Sequence, residues 1–406
     1  MSRSRPSTRF LLLTIVVLAF AVRLAIVLHA GERTLVDDET GYDRIALNVA
    51  GGHGYQSGHS EETRRPTASR GPSYILYVAA FYAVAGHHVV LPLVGQCVME
   101  ALSCLLAYWI AWRLFASKRV ALWAAALYAV YPPFIINAGY LLTETFTNFT
   151  FLATIAAFLE YVERRHIRYL VIAGIALGLC ALNKPHAAAL GAVLALVALP
   201  ALGWRTTIRS GVIVTIVTAL VMTPWIVRNA VVFHAFIPGV TLVGYTFWGG
   251  TAPVGGIRQI GSLSDPAVPD SVRQVVDGID TELERSRWYM QEALRIIKED
   301  PVRYAKLCFR KIFQLWFNLG FDVAPSRASL AVAAFNLAAW VLAILGAVKT
   351  RPGSLAGRLL LIVGAFWTLV NLPATALVRY AMPYYALLFC FTAAGLAHLW
   401  RRKSSA

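Results

Sequence analysis

Three consecutive acids, Asp37, Asp38 and Glu39, stand just beyond the first apolar run, in the stretch VDDETGYDRIALNVAGGHGY. A carboxylate hydrogen-bonded to an acceptor hydroxyl removes its proton as the oxygen attacks carbon, so the triplet offers a general base with a helper carboxylate. The same triplet also reads as a solvated loop and helix cap. Arg64, Arg65 and Arg70 follow in RRPTASRGP, just before the aromatic segment SYILY. Glu144, in GYLLTETF, is a further acid in a turn between apolar runs. Arg23, Lys184, Arg228 and Arg379 lie within or at the ends of apolar runs, where burying a charge is costly. Gathered at one level they would hold a phosphate by charge-assisted hydrogen bonds; singly, each would snorkel to lipid headgroups. Glu100 is the simplest ion-pair partner for Arg23. Acids and bases held together at a membrane face point to a phosphate-bearing lipid. His53, His59, His87 and His88 match no strong metal-ligand spacing and read as surface histidines.

Such residues need a membrane scaffold, and the composition supplies one. Hydrophobic residues make up 58% of the 406 residues and charged residues only 14%, well short of the roughly 25% typical of a soluble domain. Several apolar runs reach the roughly 20 residues that a helix needs to cross a hydrocarbon core, without the period-two alternation of a barrel. The expected fold class is an all-α polytopic membrane protein, with about ten transmembrane helices plus exterior interfacial helices. The cysteines form no CxxC pair and imply neither a disulfide framework nor a zinc site. The first apolar run continues to about Leu28 without a small-residue cleavage site, so an uncleaved span is expected. The net charge of +16 is sorted by side. The N-terminus, 113–119, 163–168, 205–209, 349–358 and the C-terminal Arg-Arg-Lys are basic, and Glu163 is the only acid among them. The positive-inside rule then puts both termini in the cytoplasm and the acid-rich segments 30–88 and 229–326 outside.

Spans are expected near 10–29, 89–114, 119–137, 143–162, 167–183, 186–202, 210–228, 328–348, 357–373 and 380–399, in a single integral membrane domain, 1–406. In the first exterior loop, 30–88, Asp38 would cap a helix over Thr40–Ala50 whose Tyr42, Ile45, Ala46 and Val49 lie on the membrane. Pro72–Ala85 is apolar but only about 21 Å long as a helix, short of a core of roughly 30 Å, and reads as a second interfacial or re-entrant helix. In the second exterior segment, 229–326, VGYTFWGGTAPVGG reads as loop and Ser271–Lys298 as a polar helix. Pro301–Leu319 reads as an interfacial helix, with Arg303, Lys306 and Arg310 opposite Tyr304, Cys308, Ile312 and Leu315. No internal repeat is present, and no terminal soluble domain is expected.

Four stretches, DDETGYDRIALNVAGGHGY, SRGPSYILYVAAFYAVAGHH, PWIVRN and VRYAMPYYALL, resemble the type C glycosyltransferases, in particular the group containing the protein O-mannosyltransferases and the lipid A aminoarabinose transferase. Members of that family take a sugar from a polyprenyl phosphate and transfer it, usually with inversion, to an acceptor on the exterior face. The resemblance implies that Asp38 is the first-loop aspartate, with Glu39 beside it. It implies that Arg70 is the basic residue before the second interfacial helix, followed by Pro72 and Tyr74, and that Arg379-Tyr380 is the pair before the last span. Asp37 adds a second acidic partner, Arg70 stands where the aminoarabinose transferase has lysine, and no large C-terminal domain of the kind some members carry is expected, so acceptor recognition does not carry over.

The resulting expectation is a glycosyltransferase that moves a sugar from a polyprenyl-phosphate donor to an acceptor hydroxyl, with inversion, at the exterior face of the plasma (inner) membrane. Asp38 would be the base, with Asp37 and Glu39 as helpers. Arg70, Arg379, Lys184 and Arg228 would hold the donor phosphate and stabilise the charge it gains on leaving. Tyr74, Tyr380, Glu144, Tyr245 and Trp248 would contact substrates, Tyr245 to Trp248 by stacking on a sugar. A divalent metal bridging carboxylate and phosphate is compatible with this reading, with no ligand set assigned. The partners are the donor, a lipid, glycan or protein acceptor, and membrane lipids; nucleic acid is not expected. The alternative is a polytopic transporter or lipid flippase, which predicts inverted repeats, broken helices and midplane charges; here no repeat is seen and the charges cluster at one face.

Overall fold

The computed structural model describes residues 7–251, 268–319, 326–349 and 354–403, and these are almost wholly helical. Helix α1 (Thr8–Ala30) leads to α2 (Asp38–Ala50), a short antiparallel pair of β1 (Gln56–Ser57) and β2 (Arg65–Pro66), and α3 (Pro72–Ala85). There follow α4 (Val90–Phe115), α5 (Lys118–Val130), α6 (Pro132–Asn137), α7 (Glu144–Arg164) and α8 (Arg168–Asn183). A 3-10 turn, Pro185–Ala189, joins α8 to α9 (Leu190–Leu202), and α10 (Trp204–Phe233) comes next. The second acid-rich segment holds α11 (Val243–Gly249), α12 (Asp270–Asp277), α13 (Glu282–Glu299) and α14 (Pro301–Phe317). The last helices are α15 (Arg327–Lys349), α16 (Leu355–Asn371) and α17 (Val378–Lys403).

Seven of the described helices are long and apolar enough to cross a bilayer, over 8–30, 90–115, 144–164, 185–202, 204–233, 327–348 and 378–400; α3, α8 and α16 are apolar but shorter. The chain is a multi-pass membrane protein. Its core is centred on α17, where Tyr384 to Phe391 are all fully buried, as expected of a helix that is apolar on every side. Tyr131, Phe134, Phe335 and Phe389 pack ring against ring around it. The span expected over 119–137 is broken. Tyr131 leaves the helical region (φ −69°, ψ 115°) ahead of Pro132, because a proline ring crowds the residue before it out of the α conformation.

The expected pair Arg23–Glu100 is present, with Nε to Oε2 at 3.3 Å and both side chains fully buried. Arg23 also donates to the carbonyls of Ala19, Tyr128 and Ala129, so its charge is spent inside the bundle.

Several expectations for the two acid-rich segments are corrected. Helix α2 begins at Asp38, and Asp37 occupies the capping position with φ 51° and ψ −123° and no side-chain cap bond. Asp38 therefore does not cap; its carboxylate is drawn to cations described below. The face of α2 bearing Tyr42, Ile45 and Ala46 does not lie on the membrane but packs in a buried cluster with Tyr74, Ile75 and Val78 of α3. In the second segment, part of the expected loop is helix α11, while 252–267 lie outside the described residues. The expected single polar helix is two, α12 and α13, separated by Gly278–Thr281, with Thr281 capping α13. The buried residues of α14 are Leu307, Lys311, Leu315 and Trp316; of the predicted stripe Leu315 is buried, and Tyr304, Cys308 and Ile312 are half-buried.

Candidate active site

The first acid-rich loop is tied down at both ends of Arg70. Gly71 lies against the end of α8 so closely that a Cβ there would sit 2.0 Å from the Leu182 carbonyl oxygen; only glycine allows this approach. The Tyr55 hydroxyl donates to the Arg70 carbonyl at 2.9 Å. Glu282, at the start of α13, accepts from the Ala68 amide at 2.6 Å and from the Thr67 hydroxyl at 2.7 Å, and the Thr241 amide donates to the Ala68 carbonyl at 2.9 Å. Arg228 donates to the carbonyls of Thr67 and Tyr55, each at 2.8 Å. This scaffold aims the Arg70 guanidinium at the first turn of α2, over Gly41 and the Tyr42 ring.

There Asp38 sits between two arginines. Its Oδ1 lies 2.9 Å from Arg70 Nη2 and its Oδ2 2.7 Å from Arg379 Nη2. Arg379 Nε lies 3.7 Å from Glu144 Oε1, and Lys184 Nζ lies 3.7 Å from the same oxygen. The five side chains form an alternating row, Arg70, Asp38, Arg379, Glu144, Lys184, contributed by the α2–α3 region, α7, the α8–α9 turn and α17. Burial by itself would raise the Asp38 pKa, but the charges and hydrogen bonds of Arg70 and Arg379 outweigh it and hold it at about 2.

All five line one cavity of about 450 Å3, within the roughly 300–1,000 Å3 of small-molecule sites. Three cations against two carboxylates leave it with a charge of +1 when His186, also in the lining, is neutral. The cavity is ready for an anion. Its carboxylates do not fit a divalent ion: both Asp38 oxygens are taken by arginines, and Glu144 is flanked by two cations. Among the described residues no three His, Cys, Asp or Glu side chains converge as a metal site.

Of the residues singled out from the sequence, Asp38, Arg70, Glu144, Lys184, Tyr245, Arg379 and Tyr380 line this cavity. Lys184 and Arg379 both lie over the Tyr380 ring. The others are placed elsewhere. Glu39 is buried and bonded to Arg33, with Oε2 to Nη1 at 2.9 Å, and to the Leu141 amide, so it locks α2 to the α6–α7 turn. Asp37 is exposed. Arg228 pins the Arg70 loop and does not reach the cavity. Tyr74 is fully buried, its hydroxyl on Gln96, and Trp248 packs on Tyr289. Thr147, Asn183, His186 and Trp367 line the cavity without having been singled out. Neutral polar residues in apolar helices carry no charge signal; the run Asn183-Lys184-Pro185-His186, polar residues around a proline at a helix end, was the available sign. Lys311 was also missed. It is buried and donates to the carbonyls of Gly250, Leu372 and Ala374, bracing the segment ahead of Arg379, and burial pushes its pKa down to about 8.

A family description, dolichyl-phosphate-mannose-protein mannosyltransferase, matches residues 69–227, the region that carries Arg70, Glu144 and Lys184. No curated protein matches the chain. Among solved structures, this chain is similar in fold to the oligosaccharyltransferase AglB of Archaeoglobus fulgidus in complex with an inhibitory peptide and a dolichol-phosphate, with a TM-score of 0.59 and 17% identity over 98% of this chain and 52% of that one. An Archaeoglobus fulgidus oligosaccharyltransferase tethered with an acceptor peptide containing the NVT sequon gives a TM-score of 0.62 with 16% identity, over 96% of this chain and 50% of that one. The chain thus spans about half the length of the oligosaccharyltransferases it resembles in fold. ArnT of Cupriavidus metallidurans in the apo state aligns more loosely, with a TM-score of 0.45 and 16% identity over 94% of this chain and 77% of that one.

Proposed function

We propose that the chain transfers a sugar from a polyprenyl-phosphate donor to an acceptor hydroxyl, in a cavity that opens on the exterior face of the membrane. The observation that carries this reading is the row Arg70–Asp38–Arg379–Glu144–Lys184 along one cavity of charge +1. A polyprenyl-phosphate sugar is a phosphodiester of charge −1 and complements it. Arg70, Arg379 and Lys184 bind the phosphate oxygens, and Asp38 faces the acceptor. In the reaction the acceptor oxygen bonds to the anomeric carbon while the bond from that carbon to the phosphate oxygen breaks. The electron pair leaves on the phosphate, the cations stabilise its added charge, and the acceptor proton passes to Asp38. One displacement inverts the anomeric centre.

A carboxylate with a pKa of about 2 is a weak base, since a general base works best with a pKa near the working pH. The two arginines that depress it are the ones that bind the phosphate. Donor binding draws them from Asp38 and raises its basicity when the substrate is in place. The support for the exterior face remains the sorting of basic segments, which puts both termini inside and 30–88 and 229–326 outside; on this reading about ten helices cross the membrane, 30–88 is the catalytic loop and 229–326 contributes to acceptor recognition. Mass spectrometry of envelope glycolipids and glycans from cells with and without the protein tests it. One product should lose a single sugar residue in the deletion strain while the charged donor lipid accumulates. Identical glycans and donor levels would overturn the proposal.

A further inference from the structure

Beyond Lys184, the cavity is lined by polar atoms that the protein leaves without partners. Thr147 Oγ1, Asn183 Nδ2 and His186 Nε2 are shielded from solvent and make no hydrogen bond, and all three residues line the cavity. Thr147 and Asn183 are themselves buried. Thr147 lies one turn after Glu144 on α7. Asn183 ends α8, and its Oδ1 accepts from the Tyr74 amide at 3.1 Å, which fixes the side-chain amide and leaves its NH2 free. His186 packs edge-on against Trp367, with ring centroids 5.5 Å apart. The Trp367 indole N–H is spent on the Tyr380 carbonyl at 2.7 Å, so that ring offers only apolar surface.

Buried polar groups in native proteins are almost always paired, and an exception calls for a bound partner. The partner wanted here must accept from an amide, exchange with a hydroxyl, and either donate to or accept from an imidazole nitrogen. It must also present an apolar face to an indole. A pyranose ring does all of this: each hydroxyl both donates and accepts, and its C–H faces pack on aromatic rings. Charge narrows the choice. The cavity and a phosphodiester already balance, and the one carboxylate at this end, Glu144, is flanked by Lys184 and Arg379 at 3.7 Å each. An ammonium group on the sugar would add an unbalanced positive charge beside two cations.

Building on the polyprenyl-phosphate reading above, we propose that Thr147, Asn183, His186 and Trp367 form the donor-sugar subsite and that it takes an uncharged pyranose. The test is equilibrium binding, to purified full-length protein in nanodiscs, of three lipids with one polyprenyl chain: the bare phosphate, its mannosyl ester and its 4-amino-4-deoxyarabinosyl ester. Thr147→Val and His186→Phe, each checked for unchanged thermal unfolding, should bind the mannosyl lipid roughly five- to thirtyfold more weakly, as expected for one hydrogen bond lost. Both should bind the bare phosphate as the wild type does. Equal losses for the bare and the mannosyl lipid would assign these residues to the phosphate and overturn the subsite, and so would unchanged binding of the mannosyl lipid, which would leave only water there. Wild-type binding of the aminosugar lipid as tight as the mannosyl lipid would overturn the uncharged preference. Failure of the wild type to bind any of the three would instead remove the polyprenyl-phosphate reading itself.

Discussion

Replacing Asp38 by asparagine should slow turnover and tighten phosphate binding in the same protein. The carboxylate pairs with Arg70 and Arg379 at 2.9 and 2.7 Å, and a donor phosphate must take those arginines from it. Arg70 and Arg379 hold the carboxyl at about 2 against an ordinary 3.8, although burial pushes the other way. At 1.36 kcal/mol per pKa unit, this preference for the charged, arginine-bound form is about 2 kcal/mol. Asp38→Asn removes the competitor and leaves the size of the side chain unchanged. Affinity for polyprenyl phosphate should rise, by a few-fold and at most roughly thirtyfold. Turnover should fall by about two to four orders of magnitude, the usual worth of a general base. Both are measured on one preparation, binding by titration of the lipid into nanodiscs and turnover by release of polyprenyl phosphate from the donor. Weaker or unchanged phosphate binding would refute the competition between Asp38 and donor, and a wild-type rate would take the base role from Asp38 and turn attention to Glu144.

Arg70→Ala and Arg379→Ala should each weaken lipid-phosphate binding by about 1.5–3 kcal/mol, the worth of a hydrogen bond to a charged group; unchanged affinity in both folded variants would remove them from the phosphate site. Glu282→Ala, far from the chemistry, should release the loop carrying Arg70, lowering thermal stability by about 1–3 kcal/mol through the unpaired Ala68 amide and raising KM for the donor, whereas unchanged KM would show that the loop holds its shape without this carboxylate. For orientation, Ser60→Cys should react with an impermeant thiol reagent in intact cells and His166→Cys should react only after lysis; both positions are exposed and the native cysteines are buried or half-buried. The opposite pattern would invert the topology.

What was legible in the sequence was mostly what charge and length express locally. Pro72–Ala85 forms a helix with the expected ends, because a proline at its first position and a glycine with φ 81° after its last mark them directly. Asp38, Arg70 and Arg379 come together as the family resemblance implied. The four intramembrane cations did not form one set. Arg23 and Arg228 satisfy carbonyls instead, since a guanidinium with five donors is as readily consumed by backbone as by phosphate, and nothing in a single sequence separates the two. Asp38 and Glu39 are neighbours with opposite fates because successive residues of a helix point about 100° apart: one faces Arg70 and Arg379, the other Arg33 and the Leu141 amide. Lys311 sits four residues from both Leu307 and Leu315, inside the buried stripe, so its position on that face was readable; its three carbonyl partners, from distant turns, were not. The polar lining formed by Thr147, Asn183 and His186 exists only once α7 and the α8–α9 turn are packed together.

If an arginine-bound phosphate leaves the sugar as Asp38 takes the acceptor proton, two products form together, and the most direct measurement follows both. Purified protein is incubated with a polyprenyl-phosphate hexose and an extract of envelope lipids and glycans, and mass spectrometry counts polyprenyl phosphate and new hexosylated product together. Both should appear in equal amounts with the wild type, and neither should appear above background with Asp38→Asn or Arg379→Ala. Donor that stays intact in the presence of the whole extract, or donor carried across a vesicle membrane with its sugar still attached, would contradict this reaction.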